Sequence, residues 1–235
     1  MSRSSATHAG TGAPTGSKAL LLLLGCGIAS TLLYIGTDIV ATILWKGYDY
    51  TSQQVSELSA VGAPTRALWL VMTSVYGPLV IAFGVGVWMA ARSRLSLRIT
   101  SILLIAFGLI GMAWAFFAPM HLRGTVGFSS DSDVMHLVFA ILQVLVMVLF
   151  MAFGSGAGGK AFRIYSILTI VAMLAAGAVA GSAVQAIAAG QATPWMGLVE
   201  RVSVYAPEVW ILTFGVVMWR QVTARAAVGM QPSHL

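Results

Sequence analysis

The chain has 235 residues, of which 58% are hydrophobic and only 9% charged. Soluble domains carry about a quarter charged residues, so the composition excludes that class and leaves a polytopic membrane protein. The net charge of +6 does not point to nucleic acid, because the cations fill short connections and tails on one side of the apolar runs.

Residues 1–18 are rich in Ser, Thr, Gly and Ala with almost nothing to bury, and read as a disordered cytoplasmic tail. Six apolar runs follow, at about 19–45, 68–91, 98–119, 133–153, 163–189 and 202–219. Each approaches the roughly 20 residues that cross a hydrocarbon core about 30 Å thick. Backbone groups in lipid must be satisfied within the segment, so each run is a helix. The expected fold is all-α, with six transmembrane helices in one bundle over 19–220 and a cytoplasmic tail over 221–235.

Arg3, Lys18, Arg92, Arg94, Arg98, Lys160, Arg163, Arg220 and Arg225 fall on one side of these helices, against Lys46, Arg66, Arg123 and Arg201 on the other. The positive-inside rule makes the first side, and both termini, cytoplasmic, in the bacterial inner membrane. All seven acids then lie in the outer loops or outer halves of helices, so acid, base or metal chemistry faces outward. Cys26 is the only cysteine, which excludes an internal disulfide. The apolar run continues well past it, as expected of a packed helix residue and not of a cleaved leader.

Along the first helix, Thr31, Tyr34, Asp38 and Trp45 recur at helical spacing, and Asp38 sits about 10 Å below the outer end. A carboxylate there is costly and faces a bundle interior or a wet cavity, or is hydrogen-bonded for structure. The polar stretch 46–66 is predicted to hold a short helix, with Thr51 and Gln54 as a capping box and Gly62-Ala63-Pro64 as its stop. Glu57 on that helix points to the protein or lies exposed at the interface. Tyr76-Gly77-Pro78 marks a kink, and Trp114, Phe116, Phe117 and Pro119 read as an interfacial aromatic belt.

In the second polar island, 121–133, Ser132 or Asp133 is expected to cap the fourth helix, where Asp133, His136 and Gln143 share a face. That face is a polar pocket wall or a satisfied packing surface. Gly154–Lys160 lacks the spacing of a phosphate loop and reads as a turn. Gly177 and Gly181 form a small-xxx-small pair that predicts close helix approach. Arg201, Tyr205 and Glu208 share a face of the last helix, with Glu208 expected at a depth like that of Asp38 and an Arg–Glu link as the structural reading.

TSQQVSELSAVGAPTR, the Pro119 to His136 segment and GLVERVSVYAPEVW each stand beside a helix end in this six-helix layout. With Ser56-Glu57-Leu58 and the following Gly62, they resemble the bacterial membrane family known as domain of unknown function 998, over about residues 20–220. The resemblance implies the fold and the membrane location but no activity. That family often carries an acid soon after the Pro of the third helix, whereas here His121 stands there and the acids come at 131 and 133. A more distant similarity is to the seven-helix alkaline ceramidases and adiponectin-receptor-like hydrolases, whose closely spaced terminal His pair is missing here.

The expected site is an outward pocket lined by Asp38, Glu57, His136, Gln143, Arg201 and Glu208, binding a lipid headgroup or small polar ligand. Membrane lipids are the expected partners, and nucleic acid is not. A second reading is a metal-dependent hydrolase of lipid or amide bonds, with zinc on His121, His136 and Asp131 or Asp133 and Glu57 as catalytic base. A small-molecule transporter is disfavoured, because ionisable residues crowd the outer third instead of the midplane.

Overall fold

A computed structural model describes residues 15–126 and 130–229. The chain folds into α1 (Thr15–Leu44), a 3-10 turn (Val55–Ser59), α2 (Arg66–Ala91), α3 (Leu95–Phe117), α4 (Asp131–Gly154), α5 (Gly159–Ser182), the one-turn α6 (Val184–Ala188) and α7 (Met196–Gly229). Six of these, α1 to α5 and α7, are long and apolar enough to cross a membrane. The protein is an all-α polytopic bundle.

The boundaries depart from the apolar runs where polar residues are buried. The fifth run breaks at Ala183 into α5 and α6, and the last helix begins at Met196, ahead of its apolar stretch. It also runs on to Gly229, so most of the expected 221–235 tail is helix. Residues 1–14 of the expected N-terminal tail lie outside the described residues, and α1 already starts at Thr15.

Lipid tails are as apolar as side chains, so close packing and small residues hold membrane helices together. α2 and α3 make the closest pair. A Cβ at Gly108 would stand 2.9 Å from the Gly77 carbonyl, and one at Gly84 would stand 3.1 Å from that of Ser101. The Ser101 hydroxyl uses this proximity to donate to the Gly84 carbonyl at 2.7 Å. Pro78 lies within α2 without interrupting it. At the end opposite the 46–66 loop, the rings of Phe83, Phe150, Phe162, Trp210 and Phe214 pack together, stacked for Phe162–Phe214 and Trp210–Phe214 and tilted or edge to face for the rest, and Trp210 Nε1 donates to Ser166 Oγ at 2.8 Å.

The helices pack in the order α5, α7, α1, α2, α3, α4, and each neighbour in that series is in extensive contact. α4 and α5, at the two ends of the series, touch far less. The bundle is a ring left open on one side. Gly177 and Gly181 border this opening and differ in role: a Cβ at Gly177 would stand 3.0 Å from Ser203 Oγ of α7, so that glycine does permit close helix approach, whereas one at Gly181 would meet nothing within 4 Å, which corrects its expected role.

Stretch 46–66 lies over the ends of the helices. Its turn is 3-10 and not α-helical, and the expected Thr51/Gln54 box is replaced by one in which Gln54 N–H donates to the Glu57 carboxylate at 2.9 Å. Thr51 instead donates from Oγ1 to Asp49 Oδ1 at 2.7 Å. Hydrogen bonds from Thr51 and Ser52 hold the Asp49 carboxyl down at about 2. Val61 N–H donates to the Met120 carbonyl at 2.8 Å, and Leu122 N–H donates back to Val61 at 3.2 Å, joining the loop to the α3–α4 connection. Gly62, at φ +92°, makes the turn that follows. At α4 the N-cap is Ser130, while Ser132 and Asp133 reach across to Pro119 and His121 instead of capping.

Candidate functional site

Asp38 and Arg201 meet across α1 and α7. Arg201 Nε and Nη2 donate to the two carboxylate oxygens at 2.9 and 3.0 Å, a bidentate fork. The remaining N–H groups go to Tyr48 Oη at 3.0 Å, the Tyr50 carbonyl at 2.9 Å and the Gly197 carbonyl at 3.1 Å, so all five guanidinium donors are used. Tyr205 donates to Asp38 as well, and the Tyr50 ring lies 3.6 Å from the guanidinium carbon. Burial pushes the Tyr48 hydroxyl up, keeping it a donor to the Gln54 carbonyl at 2.8 Å. Gly197 is required here, because a Cβ would collide with the Tyr50 and Gln53 carbonyls. The cluster ties the loop to α1 and α7.

Glu57, the expected catalytic base, is fully buried and gripped by Arg123, whose Nε and Nη2 donate to it at 2.9 and 2.6 Å. Arg123 Nη1 donates to the Gln191 carbonyl at 2.7 Å. Gln54 N–H donates to Glu57 Oε1 and Gln53 Nε2 to Glu57 Oε2 besides, so the four acceptor sites of the carboxylate are taken and it is poorly placed to take a proton from water. Glu200 accepts from the backbone N–H groups of Val55 and Ser56 and from Ser56 Oγ, and so caps the 3-10 turn from α7.

Two cavities lie beneath the loop. The larger, about 480 Å³, occupies the gap between α4 and α5 and is mostly apolar, with Ile141, Met147, Leu174 and Gly181 in its walls. The inner one, about 190 Å³, is bounded by α1, α2, α3, α4 and α7. Ser56, Trp114, His136, Gln143, Glu200 and Val204 line both, so the two are separated by a single layer of side chains.

Of the expected pocket residues, His136 and Gln143 line both cavities and Glu208 lines the inner one. Asp38, Glu57 and Arg201 line neither; they are held in the pairs described above. Glu208 does not join Arg201 but accepts from the Tyr76 hydroxyl. Because α7 starts at Met196, Glu208 lies about 18 Å along its helix at 1.5 Å per residue, against about 9 Å for Asp38 from the end of α1. Trp114, expected as an interfacial anchor, is a lining residue, whereas Phe116 and Phe117 are exposed as an anchor should be.

His136 Nδ1 stands 2.9 Å from Trp114 Nε1 and 3.0 Å from the Ala118 carbonyl. An indole N–H can only donate, so with Trp114 bonded Nδ1 is the acceptor and the ring proton sits on Nε2. That nitrogen has no hydrogen-bond partner within the protein among the described residues.

The expected zinc set does not come together. His121 and Asp133 pair with each other at 2.9 Å, His136 is engaged as above, and Asp131 is exposed in the first turn of α4. No group of three or more metal-donor side chains stands close enough to hold an ion among the described residues. These donors do not fit a catalytic zinc, which needs three protein ligands and an open position.

Sequence reasoning missed Glu200 in the cavity walls, whereas Ser56 stood out beside Glu57 in the sequence and lines both cavities with His136. Glu200 is next to Arg201, but adjacent helix residues point in different directions, so it reaches the 3-10 turn while Arg201 reaches Asp38. No curated protein and no solved structure matches the chain. A family model matches residues 28–217, which takes in four of the six spanning helices whole, most of the first and the last, and both cavities with the loop above them. The chain therefore belongs to the family described as protein of unknown function (DUF998).

Proposed function

We propose that the protein binds a membrane amphiphile through the gap between α4 and α5, with the apolar chain in the larger cavity and the polar head against the layer formed by His136, Gln143 and Glu200. The observation that carries this reading is the open side of the ring, where α4 and α5 part and small residues of α5 leave an apolar cavity of about 480 Å³. Such a volume falls within the roughly 300–1,000 Å³ of sites that hold small-molecule ligands. The placement of polar groups on the inner side and aliphatic ones toward lipid matches the two ends of an amphiphile. We place the protein in the bacterial inner membrane with both termini cytoplasmic, on the distribution of its basic residues. The loop and the upper ends of both cavities then lie on the outer side of the membrane.

Gly181→Trp tests this reading without disturbing a packed contact, since the position faces open space. Native mass spectrometry of protein extracted in mild detergent is expected to show a retained lipid adduct on the parent protein, reduced about tenfold or more in the variant. Equal adducts on both would overturn the proposed path.

A further inference from the structure

The inner cavity supports a narrower assignment, which rests on the amphiphile-binding reading. Four aromatic rings in its wall, Tyr34, Trp69, Tyr76 and Phe107, pack edge to face or tilted. Their centroids are 5.4 Å apart for Tyr34–Trp69, 5.6 Å for Tyr34–Tyr76 and 6.5 Å for Tyr76–Phe107. Two carboxylates, Glu200 and Glu208, share that wall, and neither has a cation within ion-pair distance among the described residues. Glu208 is only 3% exposed; Tyr76 serves its Oε1, and its Oε2 has no partner. Gln143 repeats the pattern at 5% exposure, with Nε2 donating to the Phe107 carbonyl at 3.3 Å and Oε1 unpartnered. Trp69 Nε1 is a third buried, unpartnered atom in the same wall.

Buried polar atoms are nearly always satisfied, so three orphans around one cavity call for an occupant; the two oxygens, Glu208 Oε2 and Gln143 Oε1, call for a donor or a cation, and the Trp69 N–H for an acceptor. A carboxylate buried without a counter-charge is costly, and a ligand cation would offset that cost. Aromatic faces attract the same kind of ligand through the ring quadrupole. An anionic head would instead need free guanidinium or ammonium donors. The one cation in this wall among the described residues is Arg66, which donates from Nη1 to the Ser59 carbonyl at 2.6 Å and sits at the first residue of α2, about 15 Å along the helix from Tyr76, the partner of Glu208. Arg123 and Arg201 are committed to Glu57 and Asp38. The volume of about 190 Å³ suits a small head and not a whole amphiphile. We propose that the inner cavity binds the ammonium head of a membrane amphiphile whose chain passes between His136, Gln143 and Glu200, the side chains both cavities share, into the larger cavity, with Glu208 as counter-charge and the rings of Tyr34, Trp69 and Tyr76 as walls.

The test uses the full chain in lipid nanodiscs, titrated calorimetrically with hexyltrimethylammonium, hexyl phosphate and hexyl glucoside. The ammonium probe is expected to bind at least about tenfold more tightly than the other two. Glu208→Gln, which keeps the side-chain shape, and Trp69→Leu, which removes one aromatic face, should each weaken it about tenfold, with helical circular dichroism unchanged. If Glu208→Gln does not fold, Trp69→Leu alone carries the comparison. Equal binding of all three probes, or tighter binding of the phosphate, would overturn the ammonium assignment while leaving amphiphile binding in place. Failure of all three to bind would overturn both.

Discussion

Arg201→Met is expected to destabilise the bundle by about 3–5 kcal/mol, the cost of leaving one member of a buried ion pair uncompensated. Asp38 is fully buried and Arg201 is 3% exposed, so water cannot take over the missing donors. The Tyr50 and Gly197 carbonyls and the Tyr48 hydroxyl lose their donor in the same step. Unfolding in mixed detergent micelles, followed by circular dichroism, measures the loss. The double variant Asp38→Leu/Arg201→Met should recover part of it, since removing both charges of a buried pair is less damaging than removing one. A single-variant cost below about 1 kcal/mol, the size of an exposed pair, would show that the cluster is hydrated.

The second large effect falls on Glu57 and Arg123, and its asymmetry is the informative part. Glu57 is fully buried at its side chain, whereas Arg123 is 16% exposed. Arg123→Met strands a carboxylate with no route to water, and should cost about 3 kcal/mol or more. Glu57→Gln leaves a guanidinium that can turn outward, so its cost should be clearly smaller. The same unfolding assay ranks the two, and limited proteolysis of stretch 46–66 should rise in step, because this pair and the Val61–Met120 bond anchor the loop to the α3–α4 connection. Equal costs, or a larger one for Glu57→Gln, would contradict the role given to the buried carboxylate.

The six spanning helices were legible in the sequence because lipid removes the alternatives: an apolar run of that length has only one way to satisfy its backbone. Their ends were less so. Met196 to Arg201 carries polar residues whose partners, Val55, Ser56 and Asp38, lie in or near the first helix and loop, and hydropathy alone reads such a segment as loop. His136 and Gln143 were legible as one polar face from their spacing, and both line the cavities. Glu57 was read as a base, since nothing local reveals that Arg123, 66 residues on, would occupy it. Gly177 and Gly181 show the same limit, for a small-xxx-small pair marks low volume, and whether a helix or a cavity fills the space is decided by the neighbours.

The most direct measurement is photocrosslinking with a lipid that carries a diazirine on its acyl chain, applied to the full chain in vesicles and read by peptide mass spectrometry. Labels concentrated on the walls of the cleft, around Ile141, Val144, Leu174 and Ala178, and displaced by Gly181→Trp, are the expected result. Labelling spread evenly over the lipid-exposed faces of α1, α2 and α3 as well, with no change in the variant, would contradict a lipid path between α4 and α5.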